Sequence, residues 1–335
     1  MAPASPRSVN DVLPHGSVVL GPMAGITEAP FRGICKRMGA RLTYTEMVSA
    51  KGLHYNPDSP VSKALLTFSP AEVPCAIQVF GADPELMAEQ TARIVDERRD
   101  DVALVDINMG CPMTKVTAKG EGAALMRTPG LATEIVSRMV GALDVPVTVK
   151  FRSGWDESAI SAPEFARRMA AAGAAAVSVH GRTRDQFYRG RADWAVLAAV
   201  KRAVDVCVIG SGDVFSAADA KAMLDQTGVD VVMVARGAQG NPWIFREAAA
   251  LIERGIILPP PTSFERIDTA REHARALLQF GGEHTAPRMR KHVAWYIHNM
   301  PGATHMRERV NQVHSYAELD GLLLEYREYV AGRLE

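Results

Sequence analysis

The chain has 335 residues, enough for a large α/β barrel with an appendage or for two ordinary domains, which makes an assembly of many domains improbable. Apolar residues make up 47% of it and aromatic residues 6%, a balance that excludes a protein disordered throughout. Lys and Arg total 38, as do Asp and Glu, which excludes a global positive field, so any nucleic-acid partner must bind a local basic patch.

The amino-terminal segment 1–16 contains Pro, Ser and Asn and has no apolar core of the signal-peptide kind. We predict that it is a mobile tail. No stretch of the chain approaches the length and hydrophobicity of a membrane span. The sequence therefore predicts a protein that is neither secreted nor inserted in a membrane.

Eight short apolar runs rich in Val and Ile alternate with longer segments of helical period. They start at residues 17, 42, 75, 102, 146, 175, 206 and 230. Their mean spacing of about 30 residues is that of one βα unit, and continuous apolar character is typical of parallel strands buried on both faces. We therefore predict an α/β fold in which residues 17–254 form a (β/α)8 TIM barrel.

A doubly wound parallel sheet is the alternative that shares this rhythm. That fold commonly has six strands, and no complete G-x-G-x-x-G follows any of the apolar runs. Three consecutive prolines beginning at residue 259 predict a stiff linker over 255–263. Thr262 and Glu265 fit a capping box, so residues 264–335 are predicted to form a smaller all-helical domain.

Polar or small residues follow all eight predicted strands. In a barrel of this type the carboxyl ends of the strands and the loops after them form the active site. In chain order these residues are Pro22, Met23, Ala24, Gly25, Glu46, Gln78, Asn108 to Pro112, Lys150, His180, Arg182, Ser211 to Asp213 and Ala235 to Gly237. We therefore predict a ligand site at this end of the barrel.

The turns after the seventh and eighth strands contain Gly212 and Gly237, next to Arg236. In this fold these turns often bind phosphate, because bare backbone N–H groups can approach the anion closely. Lys150 would place a cation at the barrel mouth, which is costly unless an anion meets it. Together these residues favour a phosphorylated cofactor over the alternative that the glycines serve tight turns alone.

The chain has four cysteines, at Cys35, Cys75, Cys111 and Cys207. They lie far apart without a C-x-x-C pair, which argues against a disulfide framework and a zinc site and favours the reducing cytoplasm. Cys111 lies just past the fourth run, between a glycine and a proline, and is predicted to be reactive. Gln78 suits a pyrimidine-like edge, but it and His180 are each equally compatible with an ordinary structural role.

Five segments, GPMAGITEAPFR, DINMGCP, VTVKFRSGW, VHGRTRDQFYRGRADW and ARGAQGNPWIF, together resemble the tRNA-dihydrouridine synthase family. The resemblance implies an FMN-containing barrel followed by a helical tRNA-binding domain, with NADPH as the electron donor. It implies reduction of the C5–C6 double bond of tRNA uridines, in which hydride passes from flavin N5 to C6 and Cys111 protonates C5.

The resemblance also assigns roles to individual positions. Asn108 would orient the uracil and the flavin, and Lys150 and His180 would face the isoalloxazine, where positive charge stabilises the reduced form. The remaining flavin contacts that it implies are Pro22, Met23, Ala24, Gln78, Ser211, Gly212, Asp213, Ala235 and Arg236. The family usually has Asn where this chain has Ser211, so we expect the side-chain contact there to be shortened or lost. No metal site is implied.

Two basic clusters could bind RNA despite the zero net charge. One is formed by Arg182, Arg184, Arg189 and Arg191. The other includes Arg288, Lys291, His292, Trp295 and Asn299, which fall on one face of a predicted helix. We predict that Arg182, Arg184, Arg288 and Lys291 contact tRNA, and a solvated helix face is the alternative.

Two other functions remain open from the sequence. A flavin barrel could act on a free pyrimidine, which would need neither the arginine clusters nor the helical appendage. A non-catalytic tRNA-binding protein could merely retain the barrel. In all cases we predict a cytoplasmic protein with tRNA as the favoured partner and no obligate protein partner.

Overall fold

Eight parallel strands form the centre of the computed structural model, which describes residues 8–333. The strands are β1 Val18–Leu20, β2 Val48–Ser49, β3 Cys75–Phe80, β4 Val102–Met109, β5 Val147–Arg152, β6 Ala176–His180, β7 Cys207–Ser211 and β8 Val231–Val234. Their hydrogen-bonded order is β1-β8-β7-β6-β5-β4-β3-β2, with every neighbour parallel. The predicted (β/α)8 barrel is confirmed.

The ring closes between β1 and β3 through the segment before β2. Parallel bridges join Leu20 to Thr43 and Tyr44 to Ala76. The strand proper begins only at β2, so the second predicted strand, over 42–47, is reduced to these isolated bridges. Closure therefore depends on a short irregular segment, which still brings all eight strand ends to one mouth.

Helices surround the barrel. They are α1 Val9–Val12, α2 Ala29–Arg37, α3 Ala50–Tyr55, α4 Pro60–Leu65, α5 Pro84–Glu97, α6 Thr114–Thr117, α7 Pro129–Ala142, α8 Ala162–Ala171, α9 Trp194–Lys201, α10 Ala217–Thr227 and α11 Ile244–Arg254, with 3-10 turns at Gly122–Arg127 and Arg236–Ala238. None of the helices within residues 8–333 has the length and hydrophobicity needed to cross a membrane.

The expected mobile tail does not extend over residues 8–16. The Ser8 hydroxyl caps α1 by accepting from the backbone N–H of Asn10. Leu13 is 1% exposed and belongs to the same apolar cluster as Val19 and Tyr44. Burial of these side chains stabilises the segment against the barrel. The rest of the predicted tail, residues 1–7, lies outside the described residues.

Four further helices follow a coil that begins after α11. They are α12 Ser263–Gly281, α13 Ala286–Tyr296, α14 Ala303–Val310 and α15 Tyr316–Ala331, with a 3-10 turn at Glu283–Thr285. The capping box is confirmed, because the Glu265 N–H donates to the Thr262 hydroxyl at 3.1 Å while the Glu265 carboxylate accepts from the Thr262 N–H at 2.7 Å. Trp243, just before α11, is 1% exposed and packs into the core of these helices. Their division from the barrel as a separate domain stays a prediction.

Candidate active site

The predicted site residues on β3 to β7 meet at one edge of the sheet. Asn108 is the register partner of Lys150, and His180 is the partner of Ser211. Gln78 pairs in register with Asp106, two residues before Asn108. Because parallel strands present their carboxyl ends at the same edge, these side chains share the barrel mouth.

Two of these side chains, Gln78 and Asn108, form a hydrogen bond with each other. The Asn108 Nδ2 donates to Gln78 Oε1 at 2.9 Å, and Gln78 Nε2 donates to Asp106 Oδ2 at 2.7 Å. Asn108 Oδ1 accepts from the backbone N–H groups of Gly110 at 3.1 Å and Cys111 at 2.9 Å. The amide of Asn108 therefore holds the turn that carries the thiol.

Arg152 holds the same turn and was missed by sequence reasoning. Its guanidinium donates to the carbonyl of Gly110 at 2.8 Å and to the carbonyls of Thr183 at 2.8 Å and Phe187 at 2.9 Å. It is 3% exposed, two residues after Lys150 on β5. Burial lowers the pKa of Arg152 to about 10, which leaves it charged at neutral pH. The only sequence signal for this role is its position near a predicted strand end.

Cys111 differs from the other cysteines in exposure. It is half-buried at the mouth, whereas Cys35, Cys75 and Cys207 are buried. A Cβ placed on Gly122, whose φ is +61°, would lie 2.9 Å from the Cys111 carbonyl oxygen and 3.1 Å from its Cβ. Glycine is therefore needed for the following loop to pack against Cys111 this closely. The thiol lies on a turn fixed from several sides.

Lys150 and His180 give the mouth its electrostatic character. Burial, together with repulsion by Arg152, lowers the pKa of Lys150 to about 8 against the attraction of Asp106. Burial and repulsion by Lys150 lower the pKa of His180 well below its usual value, so its imidazole is neutral at pH 7. Within residues 8–333, Lys150 makes no ion pair and has no hydrogen-bond partner. The site thus offers a cation to an incoming anion.

The turns after β7 and β8 bring Gly212 and Gly237 close to other backbone and side-chain atoms. A Cβ on Gly212 would lie 2.5 Å from the Cβ of Ala192, and one on Gly237 would lie 2.0 Å from the carbonyl oxygen of Val214. A small cavity lies between these turns, lined by His180, Ser211, Gly212, Asp213, Val214, Phe215, Met233, Ala235, Arg236 and Gly237. The two predicted phosphate turns therefore converge.

Asp213 pairs with two of the predicted site arginines, so that the three side chains together keep one positive charge. Its carboxylate accepts from Arg182 at 2.8 Å, from the Ala192 N–H at 2.7 Å and from Arg236 at 3.2 Å. Arg182 is 2% exposed and also donates to the carbonyl of Gly190 at 2.7 Å. The Arg182 guanidinium is therefore buried in an ion pair, and its contact with tRNA stays a prediction.

The first predicted loop lies beside the mouth. The Met23 N–H donates to the Thr27 hydroxyl at 3.0 Å, which folds the loop into a turn. Pro22 and Met23 are half-buried and Ala24 is exposed. Lys291 on α13 donates to the carbonyl of Gly25 in this loop. The structure therefore links a predicted tRNA-binding lysine to the barrel mouth.

Of the other predicted tRNA contacts, Arg288 lies at the surface, whereas Arg184 is half-buried and pairs with Asp185 at 2.8 Å. Arg184 packs its guanidinium 4.8 Å from the ring of Trp155, and Arg127 packs 4.9 Å from the same ring. Arg288 is exposed, but His292, expected on the same basic face, is only 1% exposed. The helix turns His292 inward, toward a cluster that sequence reasoning did not find.

That cluster joins the barrel to the helical region. The Glu28 Oε1 lies 3.0 Å from His273 Nε2 and 3.3 Å from His292 Nε2, and all three residues are buried. Burial would raise the pKa of Glu28, but hydrogen bonds from the two imidazoles outweigh it and lower the pKa. These three side chains could hold a metal ion, so the expectation of no metal site stays a prediction. The sequence signal available for this cluster was the position of His273 on α12, at the spacing of the core residues of that helix.

Residues 19–329 match the family described as Dihydrouridine synthase (Dus). The chain is 40% identical to the "Probable tRNA-dihydrouridine synthase 1" of Synechocystis sp., over 96% of this chain and 89% of that protein. It is 38% identical to the "tRNA-dihydrouridine synthase B" of Pseudomonas aeruginosa, over 94% and 93%. The solved structure of histamine dehydrogenase from Rhizobium sp. 4-9 shares the fold, with a TM-score of 0.51 and 12% identity over 79% of this chain and 49% of that chain. The chain belongs to the dihydrouridine synthase family.

Proposed function

We propose that the protein is a tRNA-dihydrouridine synthase, an oxidoreductase that reduces the C5–C6 double bond of uridines in tRNA. The family match over residues 19–329 supports this activity. The observation that supports this activity at the barrel mouth is the position of the half-buried Cys111. It lies on a turn held by hydrogen bonds, beside the unpaired Lys150. Because tRNA is the substrate, we also propose that the enzyme works in the cytoplasm.

The residues at the mouth fit FMN. Lys150 has no anionic partner among the described residues, and the glycine turns after β7 and β8 leave no space for side chains at Gly212 and Gly237. Backbone N–H groups of such turns and the nearby Arg236 suit a phosphate. When bound there, FMN would carry hydride from NADPH to the uracil. Lys150 would then hold positive charge beside the ring, and neutral His180 would offer it one hydrogen bond.

Cys111 is the proposed general acid. Addition of hydride to C6 of the uracil leaves negative charge at C5, and the Cys111 S–H donates its proton there, so that one hydride and one proton saturate the bond. The turn held by Asn108 and Arg152 keeps the thiol in place during this step. Asn108 Nδ2 donates one hydrogen to Gln78 and the other to the weak acceptor Met47 Sδ at 3.5 Å, and we propose that the uracil replaces this thioether contact and is oriented by the amide.

The tRNA would lie across the mouth and onto α13. Trp155, with the guanidinium groups of Arg127 and Arg184 packed near its ring, forms a surface against which a base or ribose could pack. Arg288 is exposed on α13, and Lys291 links that helix to the first barrel loop. Local positive charge of this kind offsets the unstacking of the target base without a basic protein overall.

The test is an anaerobic redox titration of the purified protein. We expect a yellow protein whose flavin is bleached by NADPH and reoxidised by unmodified tRNA, but not by free uridine. Reoxidation by a free pyrimidine would favour a small-molecule flavin enzyme, and tRNA binding without any flavin would favour a non-catalytic protein. Either result would contradict the proposal.

A further inference from the structure

Asp106 lies beneath the site and takes no part in the chemistry described above. It is on β4, fully buried, with Gln78 and Thr148 as its register partners on β3 and β5. Its Oδ2 accepts from Gln78 Nε2 at 2.7 Å and its Oδ1 accepts from the Thr148 hydroxyl at 2.6 Å. Burial outweighs these hydrogen bonds and raises its pKa to about 6, so the carboxylate is ionised at neutral pH.

Hydrogen bonds run in one direction from the Cys111 turn to Asp106. An ionised carboxylate can only accept, and the backbone N–H groups of Gly110 and Cys111 can only donate. Between these ends lie the side-chain amides of Asn108 and Gln78, each of which could be turned either way if it stood alone. The ends permit one arrangement: Oδ1 of Asn108 faces the turn, and Nε2 of Gln78 faces Asp106.

We propose that Asp106 is a positioning residue for Cys111, because its carboxylate fixes the direction of the hydrogen bonds through Gln78 and Asn108 to the thiol-bearing turn. The inference rests on the proposed function only in that the thiol it positions is the proposed acid. Reversing either amide alone would place two donors or two acceptors face to face in a buried site. The turn would then lose its support from Asn108 and keep only that from Arg152.

The first variant is N108D. The new carboxylate still accepts from the Gly110 and Cys111 N–H groups but cannot donate to Gln78, which then lies between two carboxylates. The new carboxylate also disfavours the thiolate beside it, so the rate is compared with that of the second variant, which carries the same carboxylate. We expect Cys111 to react with iodoacetamide about tenfold faster in N108D than in that variant, because a buried hydrogen bond is replaced by a repulsion and the turn loosens. The rate of alkylation reports on Cys111 because the other three cysteines are buried. The measurement is made above the pKa of Asp106, at neutral pH.

The second variant, D106N/N108D, reverses the whole chain of hydrogen bonds. The new amide at position 106 donates to Gln78 Oε1, Gln78 Nε2 donates to the new carboxylate at position 108, and that carboxylate keeps both backbone N–H groups. We expect the iodoacetamide rate to be about tenfold lower than in N108D, because both variants carry the carboxylate at position 108 and only the reversed chain is fully hydrogen-bonded. S178A is the matched control, because it removes a buried hydroxyl beside Lys150 that has no hydrogen-bond partner among the described residues. A rate in D106N/N108D as fast as in N108D overturns the inference.

If N108D and D106N/N108D do not fold, a second pair of variants tests the positioning role of Asp106. In D106N alone, the new amide can donate to the Thr148 hydroxyl and the direction is kept, so D106N/T148S should react normally. D106N/T148V lacks that acceptor and should react about tenfold faster. Equal rates in this pair overturn the inference. Alkylation does not depend on the thiol acting as an acid, so product formation by C111A would refute the proposed function while leaving this inference standing.

Discussion

Cys111 and Lys150 are the two residues on which the proposed chemistry depends most directly. The thiol is held on its turn by Asn108, which accepts from the Cys111 N–H, and by Arg152, which donates to the Gly110 carbonyl. Such bracing keeps a reacting group near its productive geometry, which is the main contribution a protein makes to proton transfer. The same residues give two predictions at this scale.

Replacing the proposed acid tests its role directly. We expect C111A to bind FMN and to be reduced by NADPH at the normal rate, while dihydrouridine formation falls by about 10²–10⁴-fold, the usual value of general acid catalysis. Dihydrouridine is measured by mass spectrometry of nucleosides from a single-turnover reaction. C207A, which removes a buried thiol on β7, is the control and should form product normally. Normal product from C111A would contradict the assignment.

Lys150 should tune the flavin. We expect K150M to lower the reduction potential of bound FMN, because loss of the cation destabilises the anionic reduced form. A charge interaction worth about 1.4 kcal/mol corresponds to about 30 mV for a two-electron couple. K221M, on the exposed side of α10, should leave the potential unchanged. Equal potentials in K150M and the unaltered protein would show that the amine does not reach the flavin.

The turn after β7 is the element on which the phosphate proposal rests. We expect G212A to lose most of its FMN, because the residue has a φ of +127° and a Cβ there would lie 2.5 Å from that of Ala192. G130A, near the start of α7 where nothing lies within 4 Å, should keep FMN and be slightly more stable. Flavin absorbance per protein measures the result. Full flavin content in G212A would argue against a phosphate site at this turn.

Seven of the eight strands were predictable because continuous apolar runs are what burial on both faces requires. The second predicted strand was wrong because the polar residues of its segment have partners far along the chain. The Thr43 hydroxyl donates to Glu72 at 3.2 Å, and the Thr45 hydroxyl accepts from the Gln78 N–H at 2.9 Å. The burial of Arg182 was missed for the same reason, because its ion pair with Asp213 spans 31 residues. Motif residues at strand ends were predictable, but their polar partners were not.

At the scale of the whole molecule, barrel and helical region are joined by buried polar contacts. Glu28, at the start of α2, meets His273 on α12 and His292 on α13. Trp243 adds an apolar contact by packing into the core of the helical region. Both kinds of contact must be broken for the two parts to separate.

This junction should make stability depend on pH. Burial lowers the pKa of His292 from 6.5 to about 4, so the unfolded chain binds this proton first as the pH falls. The pKa of Glu28 is also lowered, by the hydrogen bonds from the two imidazoles, so its contribution is lost in acid too. We expect the free energy of unfolding, measured with urea, to decrease as the pH is lowered from about 6.5 to 4. A free energy of unfolding that rises as the pH is lowered over this interval would contradict the lowered pKa values of His292 and Glu28.

Removing the carboxylate should show the same coupling at neutral pH. We expect E28Q to lower the free energy of unfolding by about 1–3 kcal/mol, because it weakens the buried hydrogen bond with His273 and removes the charge that faces His292. E308Q, in the exposed pair with His305, is the control and should be neutral. Equal stability of the two variants would show that the buried cluster does not hold the parts together.

Trp243 belongs to the chain segment of the barrel but to the hydrophobic core of the helices. A truncated enzyme ending near the proline linker would leave this indole exposed to water and would aggregate more readily. Exchange of the carboxy-terminal helices between related enzymes, whether by recombination or by engineering, would have to preserve a cavity for the same indole. The position of the helices on the barrel is thus inherited with the barrel as much as with the helices themselves.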